Sequence, residues 1–352
     1  MSPVAGKVTG SGSFIIRGLD LLQNRSLHEL GLLAGSVRSR LHPEGVVTFI
    51  NDRNINYSNV CISRCRFCAF YRDRKDPESY VLSYEEVGAK IEEARRLGAV
   101  QILLQGGLHP NLPFDWYLGL LRHIKAFHPI HVHAFSAPEI DHLCRISGFG
   151  YERVIGELAG AGLDSIPGGG AEVLCERVRK LVSPRKIGVR RWLEIHETAH
   201  RLGLRTTATL VYGLGETWRE IVIHLRHLFR LQERTGGFTA FIPWSFQPEN
   251  TRIKAAKTLP ATYLRILAVS RIMLENFPSI QASWVTQGPE VAQLALHFGA
   301  NDFGSTMLEE NVVRAAGCSF KVMDERTIAG LICQAGFKPV LRRQDYSIIR
   351  HL

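Results

Sequence analysis

The feature that most constrains the fold of this chain is a regular alternation of short β-rich segments with amphipathic helical segments. Eight segments are predicted as strands: 54–60, 100–105, 130–136, 163–167, 205–213, 238–245, 280–286 and 300–305. Helical patterns lie between most of them; one begins at a predicted capping box of Ser83 and Glu86 and ends at Gly98. Eight strands alternating with helices is the count of a (β/α)8 barrel, and an open doubly wound sheet is the alternative. The regular spacing favours an α/β protein built on one TIM-type barrel.

The predicted barrel occupies residues 41–310 of the 352-residue chain. Residues 1–40 are predicted as an N-terminal tail and helical extension, with a loose tail over 1–13 and one helix over 17–40. Residues 311–352 are predicted as a C-terminal cap packed on the barrel. With 45% hydrophobic residues, a chain of this length can bury a large core without disulfides.

Charge and composition narrow the compartment and the partners. The formal net charge of +10 is compatible with an anionic small substrate or with nucleic acid, but the basic residues are scattered and form no long block. We therefore predict no nucleic-acid partner. The N-terminus lacks the apolar core of a signal peptide, and no apolar run is long enough to cross a bilayer. Seven unevenly spread cysteines fit a reducing cytosol, so we predict a cytoplasmic protein without a membrane partner.

Polar and glycine-rich loops follow the predicted strands, and one of them carries three cysteines. In a barrel, these loops meet at the C-terminal face, so we predict one pocket there, lined by the residues of the loops. The stretch "NVCISRCRFCAFYR" places Cys61, Cys65 and Cys68 in a C-x3-C-x2-C pattern. Thiolates are ligands for zinc or for iron–sulfur clusters, and three packed or redox thiols are a further reading. A structural zinc site needs four ligands, and the fourth is not obvious nearby, although His109 could be recruited by the fold.

The cysteine loop resembles that of the radical SAM superfamily. The resemblance implies that the three cysteines hold a [4Fe–4S] cluster whose open iron binds S-adenosylmethionine. Phe67 stands at the aromatic position whose backbone meets the adenine in that superfamily. "LLQGG" resembles the glycine pair that binds the methionine amino group, which implies this role for Gly106 and Gly107.

Further motifs of the superfamily imply contacts to the rest of S-adenosylmethionine. "TLVYGLGET" resembles its fifth-strand element, with Val211 and Gly213 near the adenine and Glu216 closing the motif. Glu216 is equally explained as a carboxylate at a helix N-terminus. The resemblance implies that Ser136 and Glu172 bind the ribose of S-adenosylmethionine and that Arg185 binds its methionine carboxylate. Arg185 is alternatively a solvated surface arginine.

The resemblance narrows to menaquinone-pathway radical SAM enzymes and their deazaflavin-synthase relatives. It covers about residues 16 to 345 in order and depends most on "FIPWSFQPENT" and "ASWVTQGP". Within this family, the cyclic dehypoxanthine futalosine synthases match best. They remove the C4′ hydrogen from the ribose of dehypoxanthine futalosine, and the ribose then closes a spiro ring on the benzoate. The resemblance also implies an electron donor such as flavodoxin or ferredoxin.

Candidate substrate and base residues follow from this chemistry. Aromatic residues that could line a dry barrel mouth are Phe241, Trp244, Phe246 and Trp284. Polar residues at strand ends that could bind the substrate carboxylate and hydroxyls are Gln247, Asn250, Thr286 and Gln287. Candidates for the base are His109, His133 and Glu139. Ordinary core packing explains each aromatic residue as well, and a structural role explains each histidine.

Four alternatives to this function stay open at the level of sequence. Two lie within the family: aminofutalosine synthase and the tyrosine-utilising component of deazaflavin synthase. Two come from other classes: a basic RNA-binding or RNA-modifying protein, and a non-catalytic barrel stabilised by zinc.

Overall fold

The computed structural model describes residues 11–320 and 322–352. The helices are α1 Ser11–Asn24, α2 Leu27–Leu41, α3 Tyr84–Arg96, α4 Phe114–Phe127, α5 Ala137–Ser147, α6 Tyr151–Ala161, α7 Glu176–Val182, α8 Val189–Arg201, α9 Trp218–Thr235, α10 Pro260–Met273, α11 Trp284–Gln287, α12 Pro289–His297, α13 Val312–Ala315 and α14 Glu325–Gln334. The strands are β1 Val46–Ile50, β2 Asp52–Asn56, β3 Gln101–Gln105, β4 His131–Ala134, β5 Ser165–Ile166, β6 Arg205–Tyr212, β7 Phe238–Ser245, β8 Ser279–Ile280, β9 Asp302–Ser305, β10 Lys338–Arg342 and β11 Ile348–His351.

The strands form a barrel wound in chain order. A parallel sheet runs β2-β3-β4-β5-β6-β7-β8, and β9 pairs in parallel with β1, which Asn51 alone separates from β2. A parallel bridge between Gln281 and Asp302 links the end of β8 to β9. Sequential winding confirms the predicted TIM-type (β/α)8 fold and argues against a doubly wound sheet, whose strand order reverses at a switch point.

The helices surround the barrel because each has an apolar stripe and a defined start. In α3, Ser83 Oγ accepts from Glu86 N–H at 3.1 Å, and the Glu86 carboxylate accepts from Ser83 N–H at 2.6 Å. This is the predicted capping box, and it satisfies two of the backbone donors left free at a helix start. Val87, Ile91 and Ala94 on one face of α3 are fully buried against the barrel.

Four local predictions are wrong. The helix predicted over 17–40 is two helices, because Ser26 caps the start of α2. Part of the predicted loose tail is already helical from residue 11, and residues 1–10 lie outside the described residues. The first strand, predicted over 54–60, is observed as β2 over Asp52–Asn56, and a separate strand, β1, precedes it. The seventh strand stops at Ile280, and the rest of that prediction includes helix α11.

The C-terminal segment extends the sheet beside the barrel. β10 pairs in parallel with β1, and β11 pairs antiparallel with β10. A buried ion pair fixes this addition: Arg342 Nε lies 2.5 Å from Asp302 Oδ2, and Arg342 Nη2 lies 3.1 Å from Asp302 Oδ1. This bidentate geometry compensates two charges that are removed from water. No helix of the described residues is long and apolar enough to cross a membrane.

Four histidines, three of them buried and His200 partly buried, make the stability of this fold sensitive to acid. Burial lowers the pKa of His133 and His224 to about 3 and that of His200 to about 4, and it lowers the pKa of His196 well below its usual range. In the unfolded chain, the same imidazoles take up protons below about pH 6.5. Between that pH and the folded pKa values, the unfolded state binds more protons, so stability is lost as the pH falls.

We expect urea unfolding to show a free energy several kcal/mol lower at about pH 5 than at about pH 7, because each such histidine contributes about 1.4 kcal/mol per pH unit. His196→Phe is a matched variant. The His196 ring lies 4.0 Å from the Trp192 ring and 5.6 Å from the Phe238 ring, and neither of its nitrogens has a hydrogen-bond partner among the described residues. This variant should lower the pH slope by about 1.4 kcal/mol per unit. An unchanged slope would contradict the assignment.

Candidate active site

A cavity opens at the carboxyl ends of the barrel strands. The predicted site residues on its wall are Cys61, Cys65, Cys68, Phe67, Gly106, Gly107, Ser136, Glu139, Glu172, Val211 and Trp244. They come from the loops after β2, β3, β4 and β5, from the first turn of α5 and from the strands β6 and β7. The fold therefore gathers the three thiols, the glycine pair and two buried carboxylates around one space.

Hydrogen bonds fix the course of the cysteine loop, which follows β2. Cys61 N–H donates to Arg72 O at 3.1 Å, and Arg72 N–H donates to Asn59 O at 2.8 Å. The Asn59 amide spans the loop: it donates to Glu78 O at 2.8 Å and accepts from Tyr80 N–H at 2.9 Å. These bonds hold the two ends of the loop together, so its central thiols face the cavity.

The glycine pair after β3 allows the second loop to lie directly against the cysteine loop. A Cβ on Gly107 would lie 2.1 Å from Val60 O, and one on Gly106 would lie 2.4 Å from Tyr57 Cζ. Neither position has room for a side chain. Both N–H groups are already used: Gly106 donates to a buried carboxylate at 3.0 Å, and Gly107 donates to Ser58 O at 2.8 Å. An amino group at this loop would therefore be bound by carbonyl oxygens.

That buried carboxylate is Glu139, which joins three loops of the site. One of its oxygens accepts from Tyr57 Oη at 2.8 Å and from Gly106 N–H. The other accepts from Ser136 N–H at 2.7 Å and Ser136 Oγ at 2.6 Å, in a capping box at the start of α5. Burial raises the pKa of Glu139 although these donors lower it. Because the Glu139 carboxylate accepts from four donors, its placement supports a role in positioning the loops more directly than a role as a base. The role as a base stays a prediction.

A second buried carboxylate, Glu172, faces the cysteines together with a lysine. Lys186 Nζ lies 2.7 Å from Glu172 Oε1 and 5.0 Å from the centre of the Phe67 ring. Glu172 adopts φ +42°, a left-handed conformation that is unusual for a residue with a side chain. Arg179, itself buried, stabilises this turn by donating to Ala171 O at 2.6 Å and to Glu172 Oε2 at 3.3 Å.

Burial and the lysine set the electrostatics around the thiols. Burial raises the pKa of Cys65 and Cys68 to about 11, while the nearby charge of Lys186 lowers it. Burial has the opposite effect on a lysine and lowers the pKa of Lys186. Cys65 and Glu172 together raise this pKa more, so its net shift is upward. Lys186 therefore stays charged, and it places a cation beside the thiols that would become anionic sulfur ligands.

These residues fit a [4Fe–4S] cluster better than a single metal ion. Within residues 11–320 and 322–352, no three His, Cys, Asp or Glu side chains converge to hold one ion. The three thiols do line one cavity, and the thiolate ligands of a cluster bind different irons. Cys61, Cys65 and Cys68 would hold such a cluster, and Lys186 would offset its negative charge.

Three residues predicted to contact the cofactor do not line this cavity. Arg185 lies in a neighbouring depression with Arg64 and Arg72. The Glu216 carboxylate accepts from Gly213 N–H at 2.7 Å and closes the turn after β6. Gly213 has φ +91°, so this turn favours glycine. Their proposed cofactor contacts stay predictions, and the structure gives Gly213 and Glu216 a local structural role.

The two candidate histidine bases also lie off the cavity wall. His109 Nδ1 accepts from the backbone N–H groups of Asn111 and Leu112, each at 3.1 Å, and so shapes the loop after β3. His133 points into the barrel interior, where its Nδ1 lies 2.7 Å from Ser165 Oγ. Both positions agree with the structural alternative stated for these histidines.

Among the four aromatic residues predicted to line the barrel mouth, Trp244 alone lines the cavity. Phe241 is fully buried, and its ring lies 6.2 Å from that of Phe277. Trp284 is buried in α11, and its Nε1 donates to Ser305 O at 2.9 Å. Phe246 is also buried in the core. These three positions agree with core packing.

The polar residues predicted to bind substrate are engaged within the chain: Gln247, Asn250, Thr286 and Gln287. Both glutamines donate to Ser245 Oγ, at 3.1 and 2.6 Å, and Asn250 donates to Ala315 O at 3.0 Å. None of the four lies on the cavity wall. Their substrate contacts stay predictions.

Sequence reasoning missed several residues that do line the cavity, chiefly Asn54, Lys186 and Glu310. Lys186 stands next to Arg185 in "SPRK", so the basic pair was visible but not which member faces inward. Asn54 lies within the predicted first strand, where alternation alone could have marked it as facing the barrel interior. Glu310 carries no local signal, because its position depends on the loop after β9.

Comparisons with known proteins agree with this geometry. The profile of the radical SAM superfamily matches residues 55–228, and that of the CofH/MqnC C-terminal region matches residues 235–351. The solved structure of methylornithine synthase superposes with a TM-score of 0.72 at 18% identity and covers 95% of each chain, which shows the fold alone.

Three curated relatives cover most of the chain. The cyclic dehypoxanthine futalosine synthase of Halalkalibacterium halodurans is 46% identical over 94% of this chain and 90% of its own length. The 5-amino-6-(D-ribitylamino)uracil–L-tyrosine 4-hydroxyphenyl transferase of Methanopyrus kandleri is 42% identical over 94% and 92%. The aminodeoxyfutalosine synthase of Thermus thermophilus is 39% identical over 99% and 95%.

A barrel that carries three cysteines at the mouth of its cavity is the architecture of the radical SAM enzymes, which use a [4Fe–4S] cluster and S-adenosylmethionine. The similarity to the three relatives extends along almost the whole chain. The chain belongs to the CofH/MqnC family of the radical SAM superfamily. The predicted superfamily, enzyme class and cofactors are confirmed.

Proposed function

We propose that this protein converts dehypoxanthine futalosine to its cyclic spiro product in menaquinone biosynthesis. The observation that carries this choice is the 46% identity, over nine-tenths of both chains, with a relative of that name. The transferase and the aminodeoxyfutalosine synthase are less similar, at 42% and 39%. The cavity supports an enzyme acting on a small molecule, because a few buried polar groups lie among apolar walls.

The residues of the cavity have distinct parts in this proposal. When bound, the cluster and S-adenosylmethionine supply a 5′-deoxyadenosyl radical that removes a hydrogen atom from the substrate. Cys61, Cys65 and Cys68 hold the cluster, and the glycine loop and Glu172 hold S-adenosylmethionine. Apolar side chains such as Trp244 exclude water, which keeps reactive intermediates from side reactions.

We also propose a cytoplasmic enzyme that receives electrons from a flavodoxin or ferredoxin and binds no nucleic acid. All seven cysteines are free, and a site built from thiols is maintained in a reducing compartment. Much of the basic surface is engaged in ion pairs with neighbouring carboxylates, such as Arg234 with Glu197 and Arg72 with Glu78.

An anaerobic assay with reconstituted cluster, dithionite, S-adenosylmethionine and dehypoxanthine futalosine tests the function. We expect free 5′-deoxyadenosine together with a substrate product two hydrogens lighter. Parallel reactions supply the substrates of the two less similar relatives. An adduct that retains adenine would identify an aminodeoxyfutalosine synthase, and turnover of tyrosine with the ribitylaminouracil would identify a transferase.

A further inference from the structure

The cavity has a polar corner that the cofactor contacts do not use. Apart from Phe67 of the cysteine loop, the residues on the cavity wall that are expected to contact S-adenosylmethionine come from the arc β3 to β6: Gly106, Gly107, Ser136, Glu172 and Val211. The remaining arc, from β7 through β9 to β2, contributes Trp244, Met307, Glu310, Val312, Val313 and Asn54. This second arc is the part of the wall left for a substrate.

Two buried polar atoms on this arc have no partner among the described residues. They are Asn54 Oδ1 and Trp244 Nε1, one acceptor and one donor. Asn54 is 5% exposed, and its Nδ2 donates to Glu310 Oε1 at 3.3 Å. The amide nitrogen must face the carboxylate because two oxygens would repel each other, so the oxygen is left free. A buried polar group without a partner costs stability, and a bound ligand with hydroxyl groups would remove that cost.

Glu310 is held in this corner by uncharged donors. It is 5% exposed, and its carboxylate accepts from Val313 N–H at 2.7 Å and from Val312 N–H at 3.1 Å. Its neighbour Glu309 faces away and lies 2.7 Å from Arg53 Nε and 3.0 Å from Lys90 Nζ. Burial also raises the pKa of Glu310. A carboxylate beside Glu310 would be repelled, whereas a hydroxyl can donate to it.

We propose that Glu310, Asn54 and Trp244 form a subsite that binds the ribose hydroxyls of the substrate. Glu310 and Asn54 Oδ1 accept hydrogen bonds from hydroxyls, and Trp244 Nε1 donates one. Met307 and the two valines provide an apolar wall beside the sugar. The subsite fixes which carbon of the sugar faces the cofactor side, and it excludes the anionic benzoate end of the substrate. This inference rests on the proposed function, which supplies the sugar.

A thermodynamic cycle that combines a substitution in the protein with removal of one ribose hydroxyl from the ligand tests the subsite. Dissociation constants are measured by calorimetry on the cluster-loaded enzyme without reductant, for dehypoxanthine futalosine and for analogues that each lack one ribose hydroxyl. Glu310→Gln should weaken binding of the full substrate roughly tenfold, because a hydrogen bond to a charged acceptor is replaced by a neutral one. Against the analogue that lacks the bonded hydroxyl, the same variant should have almost no effect, since contacting groups are not additive.

Two further variants keep this test decisive. Asn54→Ala removes the free acceptor and leaves the carboxylate, so it provides a second cycle if Glu310→Gln does not fold. Glu309→Gln removes the same charge one residue away, outside the cavity, and should leave affinity within about twofold. Equal losses for all ligands, or no loss, would overturn the subsite. Wild-type enzyme that neither binds nor cyclises dehypoxanthine futalosine would instead overturn the proposed function.

Discussion

Cys61→Ala, Cys65→Ala and Cys68→Ala are each expected to abolish release of 5′-deoxyadenosine. All three thiols lie on the wall of one cavity, and two thiolates cannot hold a four-iron cluster in place. Each variant should also lose most of its iron and sulfide after anaerobic reconstitution. Iron and sulfide analysis, visible absorbance and chromatography of the nucleoside product measure these losses.

Cys333→Ala is the matched control for the cysteine variants. Cys333 is exposed on α14 and does not line the cavity, so its removal should change neither iron content nor product formation. Far-ultraviolet circular dichroism of all four variants should resemble that of the wild type, because the cysteine loop is held by hydrogen bonds of other residues. Full activity in any of the three cavity variants would contradict the cluster assignment.

Gly107→Ala is expected to reduce activity at least about 100-fold, because an added Cβ has no space. It would lie 2.1 Å from Val60 O and 2.6 Å from Val60 C, both backbone atoms next to Cys61. Relief of this clash requires the glycine loop and the cysteine loop to separate. A displacement of about 1 Å at a reacting centre is enough to produce such a loss. Initial rates of 5′-deoxyadenosine formation and iron content measure the effect.

Gly160→Ala provides the corresponding control. Gly160 lies in α6, and a Cβ there would have no atom within 4 Å. Alanine also loses less conformational entropy than glycine in a helix, so this variant should be more stable by about 0.5–1 kcal/mol with unchanged activity. If Gly107→Ala retained both activity and iron content, the close approach of the two loops would not be needed for function.

The two loops with strong local patterns were predictable, and the substrate side of the cavity was not. The C-x3-C-x2-C motif and the glycine pair each lie within one short stretch of sequence, directly after neighbouring strands. Once the order of the strands is known, the proximity of the two motifs follows. Trp284 shows the opposite case: it was predicted on a strand facing the cavity, but β8 ends at Ile280, and the tryptophan is buried in α11. Strand length there depends on the packing of neighbouring elements rather than on local propensity.

After α7, the basic residue that faces the cavity is one position later in the chain than the residue that was predicted. Both Arg185 and Lys186 follow Pro184, and the sequence offers no reason to choose between them. The turn stabilised by Arg179 directs Lys186 to Glu172 and leaves Arg185 outside the cavity. Direction in an irregular loop is set by its hydrogen bonds to the rest of the fold, which no periodicity encodes.

The sequence alone determined the barrel, the family and the cofactors, because alternating strands and helices and a contiguous cysteine motif are local patterns. The tertiary structure decided which of the candidate polar residues share the cavity. Asn54 and Glu310 are 256 residues apart in the chain, and only closure of the barrel between β9 and β1 places them in contact. Their pairing is a long-range contact, and hydrophobic periodicity and local motifs carry no information about it.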